Sequence, residues 1–332
     1  KLFREAEQLS QRGSDDEKTL EITDNLYLRA LAQFKSLIPK IGMTVNDSLA
    51  FFIHTKAGFI EYYFDSVESA KQNYLTAINL KTKLPAIADS FIFSPLLFTG
   101  AIYYNQNQFD SALLFYKKAE QINDLYKNPI TESQRLYNRL GVMYYETGNY
   151  KQARNYYEKA IALLSANPTE NTLRVNYKIN IASLLVKLED FNQAQSEYQS
   201  ILPYNIFTDE INHNLGIISI KLKDYPKAIN YLKKVNYSNN KKIIDLYYNF
   251  GMVYAELNQP DSSEVYFHKA LAENLRWNGR RKNVSHGLIL KYRGDELARQ
   301  LKSREAAAEY QLAIIQFYNN FNDSDYYKNP ED

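Results

Sequence analysis

The stretch "LGVMYYETGNYKQARNYYEKAIALL", residues 140–164, decides the fold. Apolar and aromatic residues recur at helical spacing on both sides of the polar "ETGN" at 146–149. That pattern predicts two amphipathic helices joined by a short turn. Gly141 sits in the first turns of the first helix, where glycine costs about 1 kcal/mol against alanine. A glycine placed there at that cost points to a second element in close approach, expected here to be the helix that carries Ala153.

The glycine heads a pattern repeated along the chain. Gly58, Gly100, Gly141, Gly216, Gly251 and Gly294 are anchors, and Ala182 fills the gap between the third and fourth; successive spacings are 42, 41, 41, 34, 35 and 43. Twelve residues beyond each anchor come Ala70, Ala112, Ala153, Ala194, Ala228, Ser263 and Ala306. Sixteen beyond come Tyr74, Tyr116, Tyr157, Tyr198, Leu232, Phe267 and Tyr310. Nineteen beyond come Ala77, Ala119, Ala160, Ile201, Val235, Ala270 and Ala313. At nine beyond, Phe109, Tyr150, Phe191 and Tyr225 open the second helix. Positions 12, 16 and 19 follow one helical face, so small residues let two helices approach while large ones fill the space beside the contact. The predicted unit is an antiparallel helix pair, repeated about seven times.

The order in Tyr137, Leu140, Gly141, Tyr144, Ala153, Tyr157 and Ala160 resembles the tetratricopeptide repeat. Units at Gly100 and Gly251 match nearly as well; Glu61, Ala182 and Arg293 depart from the pattern in the first, fourth and last. The resemblance covers about residues 50–316. It implies an all-α fold, a right-handed α-solenoid of about seven such helix pairs with a concave groove lined by the first helices. Pro85, Pro129 and Pro168 mark boundaries in the longer intervals, where the second helix is expected to run on before a loop. Thr131 with Gln134 reads as a capping box at one restart.

Three segments follow. Residues 1–49 read as two amphipathic helices joined at Gly13–Asp16, an N-terminal cap or degenerate repeat; residues 50–318 are the array; residues 319–332 are a polar tail or linker. The segment 306–332 also resembles the end of the repeat array in bacterial proteins that continue into a CHAT domain, a caspase-like peptidase, through Phe321, Asn322, Asp323, Asn329 and Pro330. That resemblance implies a covalently linked effector domain after residue 332, with this chain as its regulatory or substrate-recruiting part.

Bulk composition narrows the function. The 332 residues carry 40 basic and 38 acidic side chains, a net charge of +2, against the basic excess of a nucleic-acid binder. Cysteine is absent, which removes disulfides, thiolate zinc sites and a cysteine nucleophile. No window of 18 apolar residues is present, so membrane insertion by this chain is not expected. With 29 Tyr and 17 Phe against 11 Gly and 9 Pro, long helices with bulky packing residues are expected. The asparagine- and tyrosine-rich composition reads as bacterial, and it leaves the compartment, cytoplasmic or periplasmic, open.

Signatures of chemistry are missing. His54, His213, His268 and His286 form no paired metal spacing, and no phosphate loop, dinucleotide fingerprint or nucleophile elbow occurs. No catalytic, cofactor or metal residue is assigned, and the chain is read as no enzyme. Thr55, Phe59, Leu97 and Ala101 stand where chaperone-binding repeats carry a carboxylate clamp, so that clamp is not expected. Arg276, Trp277, Arg280, Arg281 and Lys282 form a basic, aromatic cluster, read as a solvated loop with an acidic partner as the alternative.

The remaining signal is the groove. Positions six and three before the anchor, and one and four after it, face away from the second helix. They give Tyr62, Tyr104, Arg135, Asn138, Tyr145, Asn176, His213, Asp245, Tyr248, Lys291 and Asp295. This mixed aromatic and polar lining suits an extended peptide or a partner helix, and tyrosine offers wide contact at low entropic cost. The expected function is a protein- or peptide-binding scaffold or sensor in signalling. The alternative is the regulatory part of a larger signalling or CHAT-type protease protein.

Overall fold

The computed structural model describes residues 1–13, 20–43 and 45–323. Among them sixteen α-helices form and no β-strand, only an isolated bridge between Ile41 and Val45. The chain divides into two compact units, Lys1–Glu170 and Asn171–Asp332. The first holds α1 (Leu2–Gly13), α2 (Leu20–Leu37), α3 (Asp47–Tyr63), α4 (Val67–Lys81), α5 (Phe93–Asn105), α6 (Phe109–Asp124), α7 (Ser133–Glu146) and α8 (Tyr150–Ala162). The second holds α9 (Asn171–Lys187), α10 (Phe191–Ile201), α11 (Thr208–Lys221), α12 (Tyr225–Leu232), α13 (Ile243–Glu256), α14 (Pro260–Asn278), α15 (Val284–Arg299) and α16 (Ser303–Phe317). Each odd helix packs on the even helix that follows, so each unit contains four pairs.

The seven anchored pairs appear as the spacing predicts, and Phe109, Tyr150, Phe191 and Tyr225 are the first residues of α6, α8, α10 and α12. Helices α1 and α2 also form a pair. Ala6, Leu9, Leu26, Ala30 and Phe34 share a core with Ala50, Ile53 and Ala57 of α3. The join expected at Gly13–Asp16 falls mostly on residues 14–19, outside the described residues.

The anchor glycine admits the second helix as expected, and what fills the space beside it is a large side chain of that helix rather than its alanine. A Cβ on Gly141 would lie 2.5 Å from Cδ1 and Cε1 of Tyr157, the residue sixteen further on. Gly58 meets Tyr74, Gly100 meets Tyr116, Gly251 meets Phe267 and Gly294 meets Tyr310 in the same way; Gly216 meets Leu232. Tyr74, Tyr116, Tyr157 and Tyr198 are among the largest fully buried side chains. Burying such a side chain contributes about 1.5–3 kcal/mol, which exceeds the helix cost of the glycine. The small residue at +12 is buried on the same second helix.

Each pair turns by one device. Seven residues past every anchor stands a left-handed residue: Asp65, Asn107, Gly148, Glu189, Lys223, Asn258 and Leu301. Its N–H donates to the carbonyl three residues back, and the next N–H donates five residues back, as from Gly148 to Tyr145 (3.0 Å) and Asn149 to Tyr144 (2.8 Å). This is the Schellman closure of a helix C-terminus. Glycine stands there once; elsewhere the two hydrogen bonds offset a left-handed cost of roughly 1–2 kcal/mol.

Long intervals are absorbed by a longer second helix and by the loop that follows it. Where the spacing is 41–43 that helix has 15, 16, 13 or 19 residues, against 11 and 8 in the short intervals. Buried polar residues twenty-three past the anchor tie down three of the added loops. Lys81 pairs with Asp89 at 2.7 Å. Asn123 Oδ1 accepts from the Ile130 N–H at 2.9 Å. Asn274 and Asn283 exchange amide hydrogen bonds at 3.0 and 3.1 Å. The capping box expected from Thr131 and Gln134 does not form. Glu132 is the N-cap of α7, with φ 73° and no side-chain cap. The preceding loop is instead held by Ser133 Oγ, 2.6 Å from both Asn123 Oδ1 and the Ile130 carbonyl.

Candidate functional site

First helices of neighbouring pairs touch within each unit, α3 with α5, α11 with α13, and α13 with α15. Their common face therefore carries side chains from successive repeats. In the second unit, α11 and α13 enclose a cavity of about 350 Å³. Three groove residues from the sequence line it together: His213, Asp245 and Tyr248. Glu210, Asn214, Ile217, Tyr237, Lys242 and Asn249 complete the wall.

His213 is buried at 7% exposure. Its Nε2 faces Asn249 Nδ2 at 3.0 Å, which places the proton of the neutral ring on Nδ1. Burial first, and then the nearby Lys242 charge, hold the imidazole down to about 4, so it is neutral at physiological pH. The ring meets Tyr237 edge to face, 5.4 Å between centroids at 78°. Tyr237 is buried with its hydroxyl unpartnered. Burial, and then the charges of Glu210, Asp209 and Asp245, push that phenol up to about 12. Tyr248 packs edge to face on Tyr292 at 5.3 Å; burial, then Tyr292, raises it far above the ordinary phenol value. Asp245 stands at the rim, exposed on one side. The cavity wall still raises its carboxyl, against the opposing charges of Lys241 and Lys242. Lys242 is 3.3 Å from Glu210.

The other sequence candidates divide between the units. In the second, Asn176 is exposed on α9. Lys291 and Asp295 pair with each other on α15 at 2.8 Å, and Asp295 also accepts from the Tyr310 hydroxyl at 2.8 Å. In the first, Tyr62 leans on Phe98 (5.2 Å), Tyr104 on Phe109 (5.6 Å) and Tyr145 on Tyr150 (5.8 Å). The residues nine past the anchor thus support the tyrosines four past it in two repeats. Arg135 is exposed, 3.4 Å from Glu132, and Asn138 is half-buried.

None of those five lines a groove of about 740 Å³ in the first unit. Phe52, Thr55, Phe59 and Ser94 do, together with Tyr27, Phe91 and Phe93. The first four occupy the same offsets of −6, −3 and +1 from Gly58 and Gly100, so the register already contained them. Tyr237 and Phe91 had no such signal, because they lie in interrepeat segments outside the register. The basic cluster is partly engaged: Arg276 is 3.2 Å from Glu273, and Lys282 Nζ donates to the carbonyls of Tyr318, Asn319 and Phe321 at 2.9, 3.0 and 2.6 Å.

Tetratricopeptide-repeat models match residues 132–204, 209–242 and 244–274. These residues carry tetratricopeptide repeats. The cavity between α11 and α13 lies within the matched repeats, while the groove of the first unit lies mostly before them. Among curated relatives, a stretch of 164 residues is 29% identical to the BBSome complex member BBS4 of Bos taurus, 48% of this chain and 28% of that protein. The match thus covers well under half the length of that protein. Among solved structures, the apo form of RapI aligns over 95% of this chain and 97% of its own, with a TM-score of 0.69 at 14% identity. The apo form of the quorum sensor NprR from B. thuringiensis aligns over 89% and 97%, with a TM-score of 0.61 at 12% identity. These likenesses concern the fold. Of the residues behind the CHAT resemblance, Asn329 and Pro330 lie outside the described residues. Among the described residues no helix is long and apolar enough to cross a membrane.

Proposed function

We propose that the chain is a non-catalytic interaction scaffold that holds an extended peptide against the face of its first helices. The observation that carries this reading is the cavity between α11 and α13, where His213, Asp245 and Tyr248 converge with Asn214 and Asn249. Carboxamides both donate and accept, which matches a peptide backbone, and the tyrosines add rigid apolar area. A sensor role, like that in the name of NprR, is the finer form of this proposal.

Selection of linear peptides from a displayed random library on the purified chain tests it. Peptides should be recovered that bind the wild type and lose binding to Asn214→Ala/Tyr248→Ala, with the melting temperature of the variant kept. Recovered peptides that bind the variant equally well would move the site elsewhere, and recovery of none would sink the reading.

A further inference from the structure

We infer that the cavity between α11 and α13 receives a basic side chain, arginine or lysine, of the bound peptide; this rests on the peptide-binding reading above. Two features of the cavity point to a cation. The first is its walls. Tyr237 and Tyr248 present aromatic rings, and cations bind over ring faces within about 6 Å. His213 is neutral and adds no positive charge of its own.

The second is charge. The charged residues lining the cavity are Glu210 and Asp245 against Lys242, and Asp209 and Lys241, whose charges also act on its walls, add one of each sign, an excess of one acid. Lys242 is engaged by Glu210 at 3.3 Å. Asp209 accepts from the Asn236 N–H at 2.8 Å. Asp245 has no ion pair among the described residues, and stands beside Tyr248 at the rim. A carboxylate that forms no ion pair among the described residues, next to aromatic rings, is complementary to one cation. The volume of about 350 Å³ is near the lower end of ligand pockets, as a single long side chain requires. An anionic side chain would meet the unpaired carboxylate, and a purely apolar one would leave Asp245 partly desolvated and unpaired.

The test titrates the full chain with Nα-acetyl-arginine amide and with Nα-acetyl-norleucine amide, following the ring resonances of His213 and Tyr248 by NMR. The arginine compound should bind at least about tenfold more tightly than the norleucine one, and Asp245→Asn should remove that difference without changing the melting temperature. Lys241→Ala should tighten arginine binding, because it removes a competing cation. Equal binding of the two compounds, or weaker binding to Lys241→Ala, would overturn the inference. Library selection separates it from the broader reading. Peptides with arginine or lysine at one fixed position support both. Peptides with acidic or apolar residues there overturn the cation site and leave the peptide-binding scaffold standing. If no peptide is recovered the scaffold reading fails, and the two amides still decide what the cavity takes.

Discussion

Gly141 and Tyr157 are matched across the α7–α8 pair: a Cβ on the glycine would stand 2.5 Å from two ring carbons of the tyrosine. Gly58 is looser, with its Cβ 3.0 Å from Tyr74. Alanine in a helix gains about 1 kcal/mol over glycine, while overpacking a tight site costs about 1–3 kcal/mol. Gly141→Ala should therefore lower stability by up to ~2 kcal/mol, and Gly58→Ala should leave it nearly unchanged. Urea denaturation of both variants checks the order; Gly141→Ala as stable as wild type would contradict it.

The first repeat holds a buried charge where the repeat pattern has tyrosine. Glu61 is 1% exposed; Lys35 Nζ lies 2.8 Å from its Oε1, an ion contact rather than an aligned hydrogen bond. Asn73 donates to its other oxygen at 2.7 Å and in turn meets His54 at 2.6 Å. Removing one partner of a buried pair leaves a charge uncompensated. Lys35 is itself half in solvent, so we expect Lys35→Met to cost ~1–3 kcal/mol rather than more. Adding Glu61→Gln should recover part of that loss, because an amide needs no counter-ion. A double-mutant cycle by chemical denaturation measures the coupling.

His213 makes stability depend on pH. Its folded value, about 4, lies below the ordinary 6.5, so between these values the unfolded chain binds the extra proton. The stabilisation is fully present above about 6.5 and is lost as pH falls toward 4, ~3 kcal/mol in all. His286, also lowered by burial, acts in the same direction. Denaturation midpoints at pH 5 and 7.5 should differ in the wild type and differ less in His213→Gln. An unchanged difference would show that His213 is not the group responsible.

Lys282 ties the residues after α16 to the loop before α15 through three carbonyls. Gln311 Nε2 adds a hydrogen bond to the Asp323 carbonyl at 2.9 Å. Lys282→Met should raise amide exchange at residues 318–323 by about tenfold or more while the core of the second unit keeps its protection. Exchange mass spectrometry reads this directly.

The sequence by itself determined the helix pairs, their number after residue 50 and the identity of the packing face, because glycine, alanine and aromatic residues recur at offsets that only a helix brings together. It also contained the groove positions as a register, including Phe52, Thr55 and Phe59, which the offset rule reaches from Gly58. Tertiary structure decided the rest. It showed that Tyr157, not Ala153, occupies the space above Gly141, since both lie on one helix face and only the crossing of two helices selects between them. It showed that the turns close through left-handed Asp, Asn, Glu, Lys and Leu as well as Gly, because two backbone hydrogen bonds outweigh residue preference there. It gathered His213, Asp245 and Tyr248 around one cavity with Tyr237, a loop residue with no register of its own. Spacing along a chain fixes which face a residue occupies; which residues from different repeats share a wall depends on how the interrepeat loops fold, and those loops obey no period.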